Sequence, residues 1–482
     1  CSPAPPTLYS HIQLASASTR PIIDQEEVQW RATHNDLIIG MIVPEVENLR
    51  AYNPNVRLYE FYSLRYHRYQ SLAEEWALNN GYDPEDFYLH YREDVVMEGA
   101  GSTILVEGSP PGIVPGWNPG RGAEDPPASA TERWQSRAIG RLGPEGEPWY
   151  LANITNSGYR HFLDYYTEGL VDGSIWGQTY SGLLDGVLTD EALYYPMFNE
   201  GLVDKTNEFY GIPPDDPHPY ALGFVTYLKE AKQNLLSNVD AGIDLIPNYT
   251  HAYWLNYPSM YPQNLQKELA WGEAEVWLTY LPNELPIYGT NRVISYERDY
   301  NNSILQVVTK TRDGLRLILG ARDWAGGVEG TDRGKLLTLA LYYIVQNKNT
   351  YYAYRARIVD TVPLSVRQWN PAVEFDIGTP LSVPDGYVDF EGNSGTECFY
   401  EFASGPDPYD STLTYHVLAR NYTNALVLAK MLPGGSVVDE RSITTHPLDG
   451  HYAVLNADGE LGPIVTEASI KNNEGLILIP VD

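Results

Sequence analysis

From Asp36 to Tyr354 the sequence alternates short, β-rich apolar runs with amphipathic helical stretches, and that alternation admits few folds. Strands joined by helix-length connections cannot form hairpins, so they pair in parallel, and a parallel sheet needs helices over it. The runs are Asp36 to Met41, Val56 to Tyr62, Trp149 to Asn153, Leu183 to Asp190, Asp244 to Asn248, Glu273 to Leu278, Leu315 to Leu319 and Thr350 to Tyr354. Another is expected within Phe87 to Val96 or Thr103 to Val106. Helical periodicity fills the gaps, as in Pro219 to Val239, Val293 to Thr311 and Lys335 to Gln346. Eight strand and helix pairs meet the arithmetic of a closed (β/α)8 TIM barrel, an α/β fold, which is assigned to residues 30–369.

Beyond Asn370 the pattern changes. Val373 to Ile377, Val388 to Phe390, Cys398 to Phe402, Thr414 to Ala419 and Ala425 to Ala429 are short alternating runs between Gly, Pro, Asn and Asp turns, with no long helical period among them. Residues 370–482 therefore read as an antiparallel β-sandwich. Residues 1–29 read as a proline-rich arm, and the crowded Gly and Pro of Gly108 to Gly146 as a long loop over one end of the sheet.

Charge excludes one class of partner. Lys and Arg number 32 against 63 Asp and Glu, a net charge of −31 that repels nucleic-acid backbones and anionic lipid surfaces. The 38 Tyr and 11 Trp lean toward carbohydrate, because their rings stack on the C–H faces of sugars while offering polar edges. Packing in a large acidic protein accounts for them equally well. With only Cys1 and Cys398 there is no disulfide framework and no Cys-based zinc site, and no paired-His motif supports a metal. No cofactor is expected: a Walker loop, a GxGxxG after a strand and a GxSxG elbow are all lacking. Cys1 followed by Ser2-Pro3-Ala4-Pro5-Pro6 resembles the start of a processed bacterial lipoprotein, so export, lipidation at Cys1 and a cell-surface or extracellular location are expected.

In a β/α barrel, reactive side chains project from the C-terminal ends of strands. Asp190 and Glu191 end one buried run; adjacent in a strand, they point in different directions, so at most one is central. Glu273 and Glu275 lie two apart, hence on one face, with Trp277 continuing it. Glycosidic cleavage needs one carboxylate to stabilise or attack an oxocarbenium-like centre and one protonated carboxyl to supply the leaving oxygen with a proton. Asp190 fits the first role and Glu275 the second, with Glu273 as the alternative acid. His90, Asn153, Glu191, Asn248, Glu273, Arg322 and Asp323 are candidate substrate contacts, and Trp277, Trp324 and Tyr354 a candidate sugar platform. Arg322 is expected to keep Asp190 ionised. Gly326-Gly327-Val328-Glu329-Gly330 reads as a flexible loop able to cover an anion.

Several of these segments carry a resemblance. Asn53-Pro54 before a strand, Gly81-Tyr82-Asp83-Pro84-Glu85-Asp86-Phe87 with His90, and Asn153-Ile154-Thr155-Asn156 with Tyr159-Arg160 are three of them. Leu184-Asp185-Gly186-Val187 leading to Asp190, and Ala419-Arg420-Asn421-Tyr422, complete the set. Together they resemble the hypothetical glycosyl hydrolase-like family 15, over roughly residues 30–480. The resemblance implies a (β/α)8 barrel with a C-terminal β-sandwich and acids at the ends of the fourth and sixth strands, here Asp190 and Glu275. An exported glycoside hydrolase acting on an oligo- or polysaccharide follows. The rival reading keeps the barrel as a non-catalytic surface module for sugar binding, adhesion or self-assembly.

Overall fold

The computed structural model describes residues 11–21, 24–63, 70–88, 139–142, 148–150, 152–176, 183–190, 219–239, 242–248, 269–280, 300, 303–323, 330–356, 362–431 and 442–481. In chain order the elements are β1 (Ala15–Pro21), α1 (Gln25–His34), β2 (Leu37–Met41), α2 (Val46–Tyr52), β3 (Arg57–Ser63) and α3 (Gln70–Asn79). β4 (Ile139–Leu142), β5 (Pro148–Tyr150), α4 (Ser157–Asp172), β6 (Gly186–Asp190), α5 (Pro219–Asn234) and β7 (Asp244–Pro247) follow. Then come β8 (Trp271–Tyr280), α6 (Leu305–Arg312), β9 (Arg316–Asp323), α7 (Asp332–Val345), β10 (Thr350–Ala356) and α8 (Leu364–Arg367). The chain ends in β11 (Tyr400–Pro406), β12 (Thr414–Asn421), β13 (Leu426–Met431), β14 (Ile443–Leu455), β15 (Leu461–Lys471) and β16 (Glu474–Val481). Two compact units emerge: Cys1–Tyr59 with Thr250–Asn256 and Ala270–Asp482, and Glu60–Tyr249 with Tyr257–Leu269.

In the first unit β8, β9 and β10 pair in parallel, as do β1 and β2. A parallel bridge from Leu14 to Tyr352 joins the two groups, and Arg57 at the start of β3 donates its N–H to the Asp36 carbonyl before β2. The order is thus β8-β9-β10-β1-β2-β3. In a flat sheet, strands five places apart are separated by roughly 24 Å. Yet the Tyr59 ring on β3 lies 5.9 Å from the Trp271 ring on β8, so the array curls, with these rings on its concave face. Trp271 is fully buried there, under the guanidinium of Arg316 at 4.2 Å and beside Tyr351.

Strand alternation then assigns every neighbour a face. Glu273, Ile318, Gly320, Arg322, Tyr351 and Arg355 share the concave side with Trp271, whereas Tyr352 and Tyr354 turn toward α7. Helix α7 is buried from Leu337 through Val345, as a helix covered on both sides must be. It packs on β9 and β10 and also on β12, β13 and β16. Thr331 caps its first turn through the Gly334 N–H. Arg420 of β12 closes its last turn by donating to the carbonyls of Tyr343, Ile344 and Gln346.

The strands after Asn370 form one antiparallel sheet, β11-β12-β13-β16-β14-β15, and it packs against α7. Among the described residues this replaces the expected sandwich of two sheets: a helix supplies the opposing apolar layer. Val373 and its neighbours, read as a strand, form a short 3-10 turn started by Asn370-Pro371.

In the second unit the remainder of β3 neighbours β6, which pairs in parallel with β7. Helices α4 and α5 pack together, and buried Tyr62, Thr167 and Tyr227 share hydroxyl hydrogen bonds among β3, α4 and α5. Asn156 caps α4 through the Tyr159 N–H, and Gly173 ends it at φ 83°.

Two strand expectations change. Ala15–Pro21 is a parallel strand, although the sequence reading starts the sheet at Asp36. Its buried residues, among those described, are the small Ala15, Ser16, Ala17 and Ser18, which carry little hydrophobic signal. Trp149 belongs to an antiparallel pair, β4 with β5, and Ala152 bridges Tyr88 antiparallel, so this run is not a parallel strand. Of the alternative runs Phe87 to Val96 and Thr103 to Val106, everything beyond Tyr88 lies outside the described residues.

Candidate functional site

At the C-terminal end of β6 the backbone leaves Asp190 half-buried, and Thr189 pairs with Pro247 of β7. The Asn248 N–H continues the ladder by donating to the Thr189 carbonyl at 2.9 Å. The two side chains that follow meet: Asn248 Nδ2 donates to Asp190 Oδ1 at 2.6 Å. Asn248 itself is 1% exposed.

On the concave face of the first unit, Arg355 of β10 donates Nη2 to Glu273 Oε1 of β8 at 3.2 Å. Their side chains are 11% and 3% exposed, and the pair spans the intervening strand β9, the way alternate strands fill one layer of a curled sheet. Arg322 stands directly across from Arg355 in the β9–β10 register. Arg355 does carry a sequence signal: an arginine inside the run Tyr351-Tyr352-Ala353-Tyr354-Arg355 is a charge in a strand buried throughout, and such a charge needs a partner.

Glu273 does not end a strand. Strand β8 runs on to Tyr280, which stands level with Asp323. Its register also breaks: Ala274 faces Leu319 and Leu278 faces Ala321, so Glu275, Val276 and Trp277 together oppose Gly320 alone. A bulge of this kind bends a strand and re-aims what it carries, and bulges concentrate beside active sites.

Asp323 and Tyr354, expected to touch substrate, turn the other way. Asp323 is fully buried, and its Oδ2 accepts the Thr331 N–H at 2.5 Å, the Thr331 hydroxyl at 3.0 Å and the Tyr354 hydroxyl at 3.4 Å. Burial, then the Asp323 carboxylate, pushes the Tyr354 phenol far above its ordinary range, so it stays a neutral donor. A carboxylate thus already occupies the start of α7, where the glycine-rich loop suggested an anion. Gly330, at φ 73°, and Gly334 leave no room for a methyl group: a Cβ on either would overlap Tyr354 or Asp323. The cause of the misreading is parity, since Arg322 and Asp323 are adjacent and only one can face the concave side.

Asn153 is likewise tied up in local structure. Its N–H donates to the Phe87 carbonyl at 2.8 Å and its Nδ2 to the Asp86 carbonyl at 3.1 Å, while Oδ1 accepts from the Thr155 hydroxyl. It builds the turn entering α4. Glu275 and Trp277 lie on β8, where only their backbone is described, and Cys1, His90, Glu191 and Trp324 lie outside the described residues. Among the described residues no group of three or more His, Cys, Asp and Glu is placed to hold a metal, and no helix is long and apolar enough to cross a membrane.

What fold and site define together is a chain of parallel β/α units carrying acidic side chains at strand ends, completed by an antiparallel sheet. Solved structures similar to it include an isomaltulose synthase variant from Erwinia rhapontici NX5 in complex with sucrose, 12% identical, TM-score 0.42, covering 98% of this chain and 99% of that one. The isomaltulose synthase SmuA from Protaminobacter rubrum is 10% identical, with TM-score 0.45 and coverage of 99% and 100%. A MutB variant bound to sucrose is 11% identical, with TM-score 0.48 and coverage of 98% and 100%. No family model matches the sequence, and neither does any curated protein.

Proposed function

We propose that this chain is an exported glycoside hydrolase whose parallel strands close into a (β/α)8 barrel, in keeping with its resemblance to the hypothetical glycosyl hydrolase-like family 15. Its substrate on this reading is an oligo- or polysaccharide. Asp190 acts as nucleophile or electrostatic stabiliser and Glu275 as general acid. The observation that carries the reading is Asp190 itself: a half-buried carboxylate at the C-terminal end of a parallel strand, held by a buried amide. The β8 bulge at Glu275 supports the second assignment, because two extra residues there re-aim a strand that otherwise serves the core.

The division of labour follows from charge. The anomeric centre gains positive charge as the bond breaks, so an ionised carboxylate lowers the barrier on one side, while a protonated carboxyl on the other side keeps the departing oxygen from leaving as an alkoxide. Glu273, engaged with Arg355 on the concave wall, is better suited to balancing the two arginines there than to donating a proton.

The test is Asp190→Asn combined with Glu275→Gln, assayed on a panel of polysaccharides and glycosides. Turnover should fall by at least about 10³-fold. Undiminished turnover removes both residues from the mechanism. Sugar binding with no turnover by the native chain favours instead the non-catalytic surface module.

A further inference from the structure

Read from the sequence, Asn248 is a sugar contact, but its surroundings give it another task. It is 1% exposed, so its amide is not a surface for ligand. The β6–β7 register fixes its backbone, through Thr189 opposite Pro247 and the Asn248 N–H on the Thr189 carbonyl. With the backbone set, the side chain meets Asp190 at 2.6 Å. The amide nitrogen faces Asp190, the direction a carboxylate requires, since an ionised carboxyl group can only accept.

We propose that Asn248 is the positioning residue of Asp190: its N–H clamps Oδ1, fixes the plane of the carboxylate and favours its charged form. The catalytic meaning of this clamp rests on the glycosidase reading above; its existence does not. A donor on the charged form of an acid stabilises that form, and it does so without adding a second charge beside the developing oxocarbenium. An amide is therefore better suited to this position than a lysine or arginine, whose positive charge would repel the same centre. The clamp has a second consequence. Asn248-Tyr249-Thr250 has the form of an N-glycan acceptor, but the nitrogen that would carry the glycan is buried and engaged.

The experiment is a carboxyl ¹³C NMR titration of the full chain labelled at aspartate, with the Asp190 signal identified by its loss in Asp190→Asn. Asn248→Asp keeps the shape and replaces the donor with a second carboxyl, and the Asp190 midpoint should rise by at least about one pH unit. Asn248→Ala removes the donor alone and should raise it by less. Midpoints unmoved in both variants overturn the clamp. With any glycoside turned over by the native chain, the acid limb of kcat/KM should move up in step with the NMR midpoint, and a limb that stays put while the midpoint moves denies Asp190 its catalytic part. A native chain inert on every substrate removes the glycosidase reading, while the titration still decides the clamp.

Discussion

Asp190 and Asp323 both end parallel strands, yet their surroundings have little in common. Asp323 is fully buried, receives two donors from Thr331 and one from Tyr354, and has glycines pressed against it. Asp190 is half-buried and accepts a hydrogen bond from the Asn248 amide of the neighbouring strand. A strand end is an address, and the face toward which the side chain turns decides its work. Facing a helix, the carboxylate of Asp323 staples secondary structure, whereas that of Asp190 stays half-exposed.

Stability measurements can break that contrast. Asp323→Ala leaves buried donors on Thr331 and Tyr354 without an acceptor and should cost roughly 3 to 5 kcal/mol, read by denaturant unfolding. Gly334→Ala, which forces a methyl group onto the same carboxylate, should cost about 2 to 3 kcal/mol. Asp190→Asn should cost under about 1 kcal/mol. Equal losses at Asp190 and Asp323 would make both staples.

The concave wall supplies the next test. Glu273→Gln removes the carboxylate charge paired with Arg355 in the interior and should cost about 3 kcal/mol, whereas Glu273→Gln with Arg355→Met should recover most of it. If the double variant is no more stable than the single, the pair is not what holds these strands together.

The last contrast concerns Asp36, whose carboxylate accepts the Leu14 N–H at 2.7 Å. Burial raises its pKa to about 7, and the Leu14 hydrogen bond opposes only part of that shift. Because the folded value lies above the unfolded one, the protonated group favours folding fully below about pH 4, and this contribution fades as pH rises through about 7. Asp36→Asn keeps the acceptor without the charge. It should therefore be more stable than the native chain above pH 7, by roughly 1 to 3 kcal/mol, with the gap closing below pH 4. A gap independent of pH would mean that burial does not shift Asp36 from its unfolded titration.

Much of the architecture was legible from period alone. The parallel strands from β6 onward and α5 and α7 fall where apolar runs and helical spacing put them, because burial on both faces demands Val, Ile and Leu. Strand β1 was illegible because Ala15, Ser16 and Ala17 are buried by fitting closely rather than by being greasy. The hairpin at Trp149 was misread because a short apolar run does not state the direction of its partner. At the site, Asp190 and Asn248 were legible as strand ends. Their contact was not, since it depends on a register that places Thr189 beside Pro247. Asp323 and Tyr354 were assigned to the wrong face because nothing local says which of Arg322 and Asp323 looks inward, and the position of α7 decides it.

Helix α7 is fastened at its first turn to the end of β9 and at its last turn to Arg420. During synthesis the outer flank of this helix emerges from the ribosome well before the strands that will cover it. Until the last residues arrive, Leu337 through Val345 form half of a greasy seam awaiting its other half. The final hundred residues are thus an obligate lid on the core, and a chain clipped near Asn370 would be a sticky fragment rather than a smaller version of the same protein.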